Sequence, residues 1–163
     1  MILILRHQQG SPFTNVLGRN GIINSLQLAD AISNALKSST YNTNLYTCLP
    51  LLSGKHVRPL QTASIIGTKL NLGINIITYD NLPINNHINK IIIWHHHDIQ
   101  PLLHKYIPND PPPIIKWDDD DYDTCIIINN NEYYIVNNFV NTHLSLMKRL
   151  FYRFLKRILK KES

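Results

Sequence analysis

Residues 2–7 read Ile2-Leu3-Ile4-Leu5-Arg6-His7: four apolar residues, then a guanidinium, then an imidazole. A short, unbroken apolar run suits a strand buried on both faces, as in the middle of a parallel sheet. The polar pair that ends it falls at the carboxyl end of such a strand. In open α/β sheets, ligands bind in the crevice beyond those ends. Arg6 and His7 are therefore candidate site residues from their position alone.

Outward from this strand, residues 8–20 form a polar loop broken by Gly10, Pro12 and Gly18. Ile22, Ile23, Leu26, Ala29, Ala31, Ile32 and Leu36 recur at helical spacing and predict a helix of about four turns. Leu45 to Cys48 reads as a second strand, and the segment through Thr62, Ile65, Ile66 and Leu70 as a second helix that Gly73 should close. Residues 74–79 and 90–94 predict two more strands. The fourth runs into His95-His96-His97-Asp98, after which Ile99, Leu102, Leu103 and Tyr106 suit a short helix. Residues 109–121 are rich in proline and aspartate. Residues 125–128 and 133–136 read as a hairpin about Asn129-Asn130-Asn131, and residues 141–161 as a final helix. Strands alternating with helices indicate an α/β three-layer sandwich, with a mainly parallel central sheet flanked by helices and one antiparallel addition.

The length of 163 residues predicts one domain, residues 1–140, with 141–163 as a basic amphipathic helix packed on it. Two cysteines, Cys48 and Cys125, exclude a disulfide framework and read as buried, inert thiols. No apolar run approaches the ~20 residues of a membrane span. The N-terminus lacks a signal-peptide pattern, so a cytoplasmic location is expected. The net charge of +5 is uneven, because Lys148, Arg149, Arg153, Lys156, Arg157, Lys160 and Lys161 crowd the end of the chain. Opposite them run Leu144, Met147, Leu150, Phe151, Phe154, Leu155 and Ile158. That stripe predicts packing on the sheet; an anionic membrane or polyanionic partner is the other use of such a helix. Nucleic acid is not expected, for want of aromatics interleaved on a basic sheet face.

Two predicted strands thus end in histidine, and Arg58 stands at the start of the second helix. If these ends lie side by side, imidazoles and guanidiniums converge on one pocket. Guanidinium forks match phosphate oxygens, and a neutral imidazole nitrogen can attack phosphorus. The histidine triplet could also bind metal. Alternation along a strand would send its members to opposite faces, so no metal site is expected. Residues 118–121 with Asp123 lack the spaced ligands and glycine of a calcium loop. Trp117 and Tyr122 flank that run and could wall the pocket.

Leu3-Ile4-Leu5-Arg6-His7 resembles the signature strand of the histidine phosphatase superfamily, the phosphoglycerate mutase-like fold, where the pattern is Arg-His-Gly. Leu17-Gly18-Arg19-Asn20-Gly21, with Ser25, Leu28 and Ala29, is similar to that family's first helix start. Arg58-Pro59-Leu60-Gln61-Thr62-Ala63 resembles its Arg-x-x-Gln-Thr-Ala segment, and Ile91 to His96 the strand that delivers the second catalytic histidine. The resemblance spans residues 2 to about 105. It implies a metal-independent phosphatase, without cofactor, that hydrolyses a phosphomonoester or another phosphoryl bond, in a small-molecule or protein-bound substrate, through a phosphohistidine on His7. Arg6 and Arg58 would bind the phosphate, and His96 or His95 would be the second histidine. Trp94 aligns with members carrying Trp-Glu-His and so favours His96. The chain departs from the pattern at Gln8, where the family has glycine, and at Ile84, where it commonly has the acid that protonates the leaving group. Asp98 is the nearest substitute and Asp80 a weaker one. These departures leave a second possibility, a phosphatase-like binding module without activity.

Overall fold

The structure is a computed structural model that describes residues 1–11, 15–37, 42–49, 57–84, 88–109, 121–129, 132–145, 148–149, 151–153 and 156. The order is β1 (Ile2–Arg6), α1 (Arg19–Leu36), β2 (Thr43–Cys48), α2 (Val57–Leu70), β3 (Ile74–Ile77) and β4 (Asn89–Trp94). A 3-10 turn (His96–Asp98), α3 (Ile99–Tyr106), β5 (Cys125–Asn129), β6 (Glu132–Val136) and α4 (Phe139–His143) follow. The strands form one sheet in the order β3-β2-β4-β1-β5-β6. β3, β2, β4 and β1 are mutually parallel, and β5 runs antiparallel to β1.

Burial follows the strand sequences. β1 and β4 are buried along their whole length, while β3, at the sheet edge, has half-buried ends and an exposed middle. Alternate residues serve opposite faces. Leu3, Leu5, Ile91 and Ile93 pack with α1, α2, Phe139 and Tyr152, whereas Ile2, Ile4, Ile92 and Trp94 pack with α3. The expected three layers are therefore present, with α1, α2 and α4 on one side of the sheet and α3 on the other.

Some boundaries differ from the sequence reading. α1 begins at Arg19, because Arg19 and Asn20 form a polar first turn that carries no apolar period. β3 stops at Ile77. α2 closes at Leu70 in a Schellman motif: Asn71, at φ 54°, takes the left-handed position expected of Gly73, and Leu72 N–H donates to the Gly67 carbonyl at 2.9 Å. The final helix is not continuous. Leu144, extended at φ −97° and ψ 138°, ends α4, and helix resumes at Lys148. The break changes the helical phase, so Phe151 is 57% exposed and the buried ring is Tyr152. Leu144 is buried as expected; Met147, Leu150, Phe154, Leu155 and Ile158 lie outside the described residues, as do Trp117 and residues 118–120.

Tyr152 fastens this last segment. Its hydroxyl donates to Asp30 at 2.9 Å and accepts from Lys69 at 2.6 Å, while Lys69 and Lys148 both pair with Asp30. α1, α2 and the C-terminal helix meet in that one polar cluster. No helix among the described residues is long and apolar enough to cross a membrane.

Candidate active site

β1 and β4 leave the sheet in opposite directions: β1 continues through α1 toward β2, and β4 through α3 toward β5. That divergence opens a crevice at their carboxyl ends, a topological switch point. The two strands end together, with Arg6 opposite Trp94 and His7 N–H donating to the Trp94 carbonyl at 3.1 Å. The residues that follow, His7 and His95, are thus neighbours by register. Their ring centroids are 5.2 Å apart.

His96 joins them. Trp94 is the last strand residue, and the chain then enters the 3-10 turn, so the alternation of a strand no longer applies. The His96 ring lies 4.6 Å from His95 and 5.6 Å from His7. One nitrogen from each of His7, His95 and His96 lies within 4.8 Å of the others. The sequence reading weighed His95, His96 and His97 as one ligand set; the group that forms takes His7 in place of His97. His95 and His96 with His7 could hold a transition metal such as zinc, while His97 is exposed.

The helix-start segment of α2 organises the loop after β1. Thr62 Oγ1 accepts from Gln8 N–H at 3.0 Å, and Gln61 Oε1 accepts from Leu17 N–H at 2.8 Å. The Arg58 side chain lies across Gly10, where a Cβ would stand 2.7 Å from its Nη1. Pro59, in the first turn of α2, lacks an N–H where none is needed. Arg6 is buried; its Nη1 donates to the Asp121 carbonyl at 3.2 Å, and its guanidinium lies 4.4 Å from the Tyr122 ring centroid. Tyr122 does wall the site. Gln8 is buried as well and donates through Nε2 to the Tyr122 carbonyl at 2.9 Å.

Burial, reinforced by the charges of Arg58, His95 and Arg6, lowers the His7 pKa to about 3, against a smaller opposing effect of the Gln8 carbonyl. His96 also falls to about 3, through burial first and then Arg6 and its histidine neighbours. Both rings are neutral at pH 7. Nδ1 of His7 lies 3.0 Å from the Gln8 carbonyl. A carbonyl only accepts, so Nδ1 carries the proton and Nε2 keeps its lone pair. Nε2 is buried and makes no hydrogen bond among the described residues. The thiols behave as expected, since burial raises Cys48 to about 11 and Cys125 well above its usual value.

The structure thus brings Arg6, His7, Arg58, His95 and His96 together, with both of the alternative histidines beside His7. Asp98 approaches His95 Nδ1 at 4.0 Å. Ile84 is exposed, and Asp80 lies beyond β3, two strands from β4. Thr62, Gly10 and the bridging side chain of Gln8 were not foreseen as site residues. Their roles depend on a contact between segments about fifty residues apart in the chain.

A central parallel sheet, an antiparallel edge hairpin and a switch point between β1 and β4 define an α/β protein with a candidate site at its strand ends. The particular fold is the phosphoglycerate mutase-like one. No protein-family model matches the chain, and no curated protein matches its sequence. Among solved structures, it is similar to phosphoglycerate mutase from Plasmodium falciparum, at 13% identity and a TM-score of 0.52, over 89% of this chain and 93% of that one. A candidate phosphohistidine phosphatase, SixA from Agrobacterium tumefaciens, superposes with a TM-score of 0.46 and 15% identity, over 83% of this chain and 94% of that one.

Proposed function

We propose that the protein is a metal-independent phosphatase that hydrolyses a phosphomonoester through a phosphohistidine on His7. The carrying observation is the fixed tautomer: Nδ1 is committed to the Gln8 carbonyl, so the buried Nε2 is the nucleophile. Nε2 attacks phosphorus, and the N–P bond forms as the P–O bond to the leaving group breaks. Arg6 and Arg58 hold the phosphate oxygens, and His96 donates to the transferring group. The leaving oxygen takes its proton from Asp98 or from His95, which Asp98 abuts. Water then attacks phosphorus, the N–P bond breaks, and orthophosphate departs with His7 restored.

A phosphomonoester panel assayed with EDTA present tests this reading. Activity should persist under chelation and fall on the order of a thousandfold or more in His7→Ala. Alkaline quench should preserve the phosphoenzyme and acid quench should lose it. Added zinc should inhibit by occupying His7, His95 and His96. Full activity in His7→Ala, or activity that requires zinc, would overturn the mechanism. Gln8 in place of glycine and the exposed Ile84 favour one other reading, a pocket that binds phosphate without turnover. Saturable orthophosphate binding with no hydrolysis of any ester would establish it.

A further inference from the structure

Beside the imidazole pocket lies a cavity of about 460 Å³, whose lining includes Gln8, Tyr122, Asp123, Arg149, Arg153 and Lys156. Gln8 and Tyr122 border both spaces. Gln8 directly follows the proposed nucleophile, and Tyr122 stacks on Arg6. Three cations from the C-terminal helix therefore face a space one residue from the phosphate site. They stand at i, i+4 and i+7, the spacing that gathers side chains on one helical face.

Two polar atoms behind the cavity's lining are incompletely satisfied. Arg149 Nε is buried and has no hydrogen-bond partner among the described residues, and the same holds for Gln8 Oε1. Gln8 is buried almost completely, so water at the protein surface does not relieve it. Buried polar atoms are normally paired, and an unpaired one calls for a ligand or another specific cause. Among the described lining residues Asp123 is the one carboxylate, against three cations, and one of its oxygens already accepts from Val140 N–H at 2.6 Å. The wall is net positive and asks for an acceptor with negative charge. The size lies within the range of small-molecule sites, roughly 300–1,000 Å³.

We propose that this cavity binds a second phosphoryl group of the substrate, whose scissile phosphate sits at His7. The substrate is then a small bisphosphorylated or more highly phosphorylated molecule. This rests on the phosphatase reading above and extends it. It also assigns the basic face of the C-terminal helix to ligand recognition, where the sequence pattern had suggested an anionic surface. Burial lowers the Lys156 pKa, and the cation cluster and an anion would relieve each other.

Calorimetry on the full chain, with orthophosphate and inorganic tripolyphosphate as probes, tests the inference. Tripolyphosphate should bind at least tenfold more tightly than orthophosphate to the wild-type protein. The variant Arg149→Gln/Arg153→Gln/Lys156→Gln should lose that advantage. Arg153→Gln alone should lose part of it; because Arg153 is exposed, that variant serves if the triple one fails to melt as a folded protein. Equal binding of the two probes, or an advantage that survives Arg153→Gln and the triple variant, would overturn the proposal. Arg58→Gln separates the two readings. If it weakens orthophosphate while the cation variants do not restore or remove that effect, the phosphate site stands and only the cavity is in question. If Arg58→Gln leaves both probes unchanged while the cation variants abolish tripolyphosphate binding, the cavity holds an independent anion. The shared-substrate proposal then fails together with the phosphatase reading.

Discussion

On one side of the Gln8–Tyr122 border stand three imidazoles, two of them held neutral at pH 7; on the other stand three cations and a carboxylate. The imidazole side is assembled by strand register. Arg6 opposite Trp94 makes His7 and His95 neighbours, and the buried backbone of β1 and β4 leaves little freedom to separate them. The cavity side is assembled by a helix resting on other helices, held through Tyr152 and the Asp30 cluster. The first kind of site places atoms through a continuous hydrogen-bonded ladder. The second depends on side-chain packing at a distance. Substitutions that strike the supports of each side should therefore differ in reach.

The largest effect is expected at Gly21, under the imidazole side. A Cβ there would collide with the Gln9 carbonyl oxygen, which is backbone and cannot swing away. That carbonyl also accepts from Gly18 N–H at 3.2 Å, so displacing it disturbs the loop that follows His7. Gly21→Ala should cost about 3 kcal/mol or more. Gly73→Ala is the control, since nothing lies within 4 Å of its Cβ position. Urea unfolding should show it neutral, or stabilised by up to about 1 kcal/mol through the unfolded chain. Equal effects of the two substitutions would mean that the β1–α1 loop yields easily, and that register alone holds His7.

Next in size are the supports of the cavity side. Tyr152→Ala removes a buried ring and its hydroxyl contacts to Asp30 and Lys69, and should cost about 3 kcal/mol. Phe151→Ala, one residue earlier and exposed, should stay within about 0.5 kcal/mol. Thermal melting of the two variants checks the helical phase directly. The opposite order would return Phe151 to the core, as the sequence pattern had it.

That pair also shows what was legible in the sequence. The apolar runs of β1 and β4, and the helical periods of α1 and α3, are local signals, and the elements lie where those signals put them. The histidines at the strand ends were legible for the same reason. The break at Leu144 was not, because no proline or glycine marks it; continuing the apolar stripe through it gave Phe151 the place that Tyr152 occupies. The triplet's geometry was missed on a related point. Strand alternation was carried past Trp94, where the backbone had already turned. Contacts such as Thr62 with Gln8, or Arg149 near Gln8 around one cavity, join segments whose sequences carry no mark of each other.

Smallest per pH unit is a pH dependence in which the two sides oppose one another. The folded protein refuses protons on His7 and His96 until about pH 3, while unfolded imidazoles take them near 6.5. Between those values the unfolded state binds more protons, so stability falls as pH drops. Asp123 behaves in the reverse sense. Burial first, and then the Asp121 charge, raise its carboxyl from 3.8 to about 6, against the opposing Val140 and Asn141 backbone contacts and Lys156. Between pH 6 and 3.8 the folded state binds the extra proton, and acid stabilises. Each group contributes at most about 1.4 kcal/mol per pH unit inside its window, and the half-buried His96 less. Urea unfolding at pH 7, 6, 5 and 4 should therefore show a net loss toward acid. His7→Ala should make that loss shallower, and Asp123→Asn, which keeps an oxygen for Val140 N–H, should make it steeper below pH 6. A shallower loss in Asp123→Asn would show that this carboxyl is charged and well paired in the fold. The cavity wall would then be less positive than its three cations imply, and the contrast across that border would weaken with it.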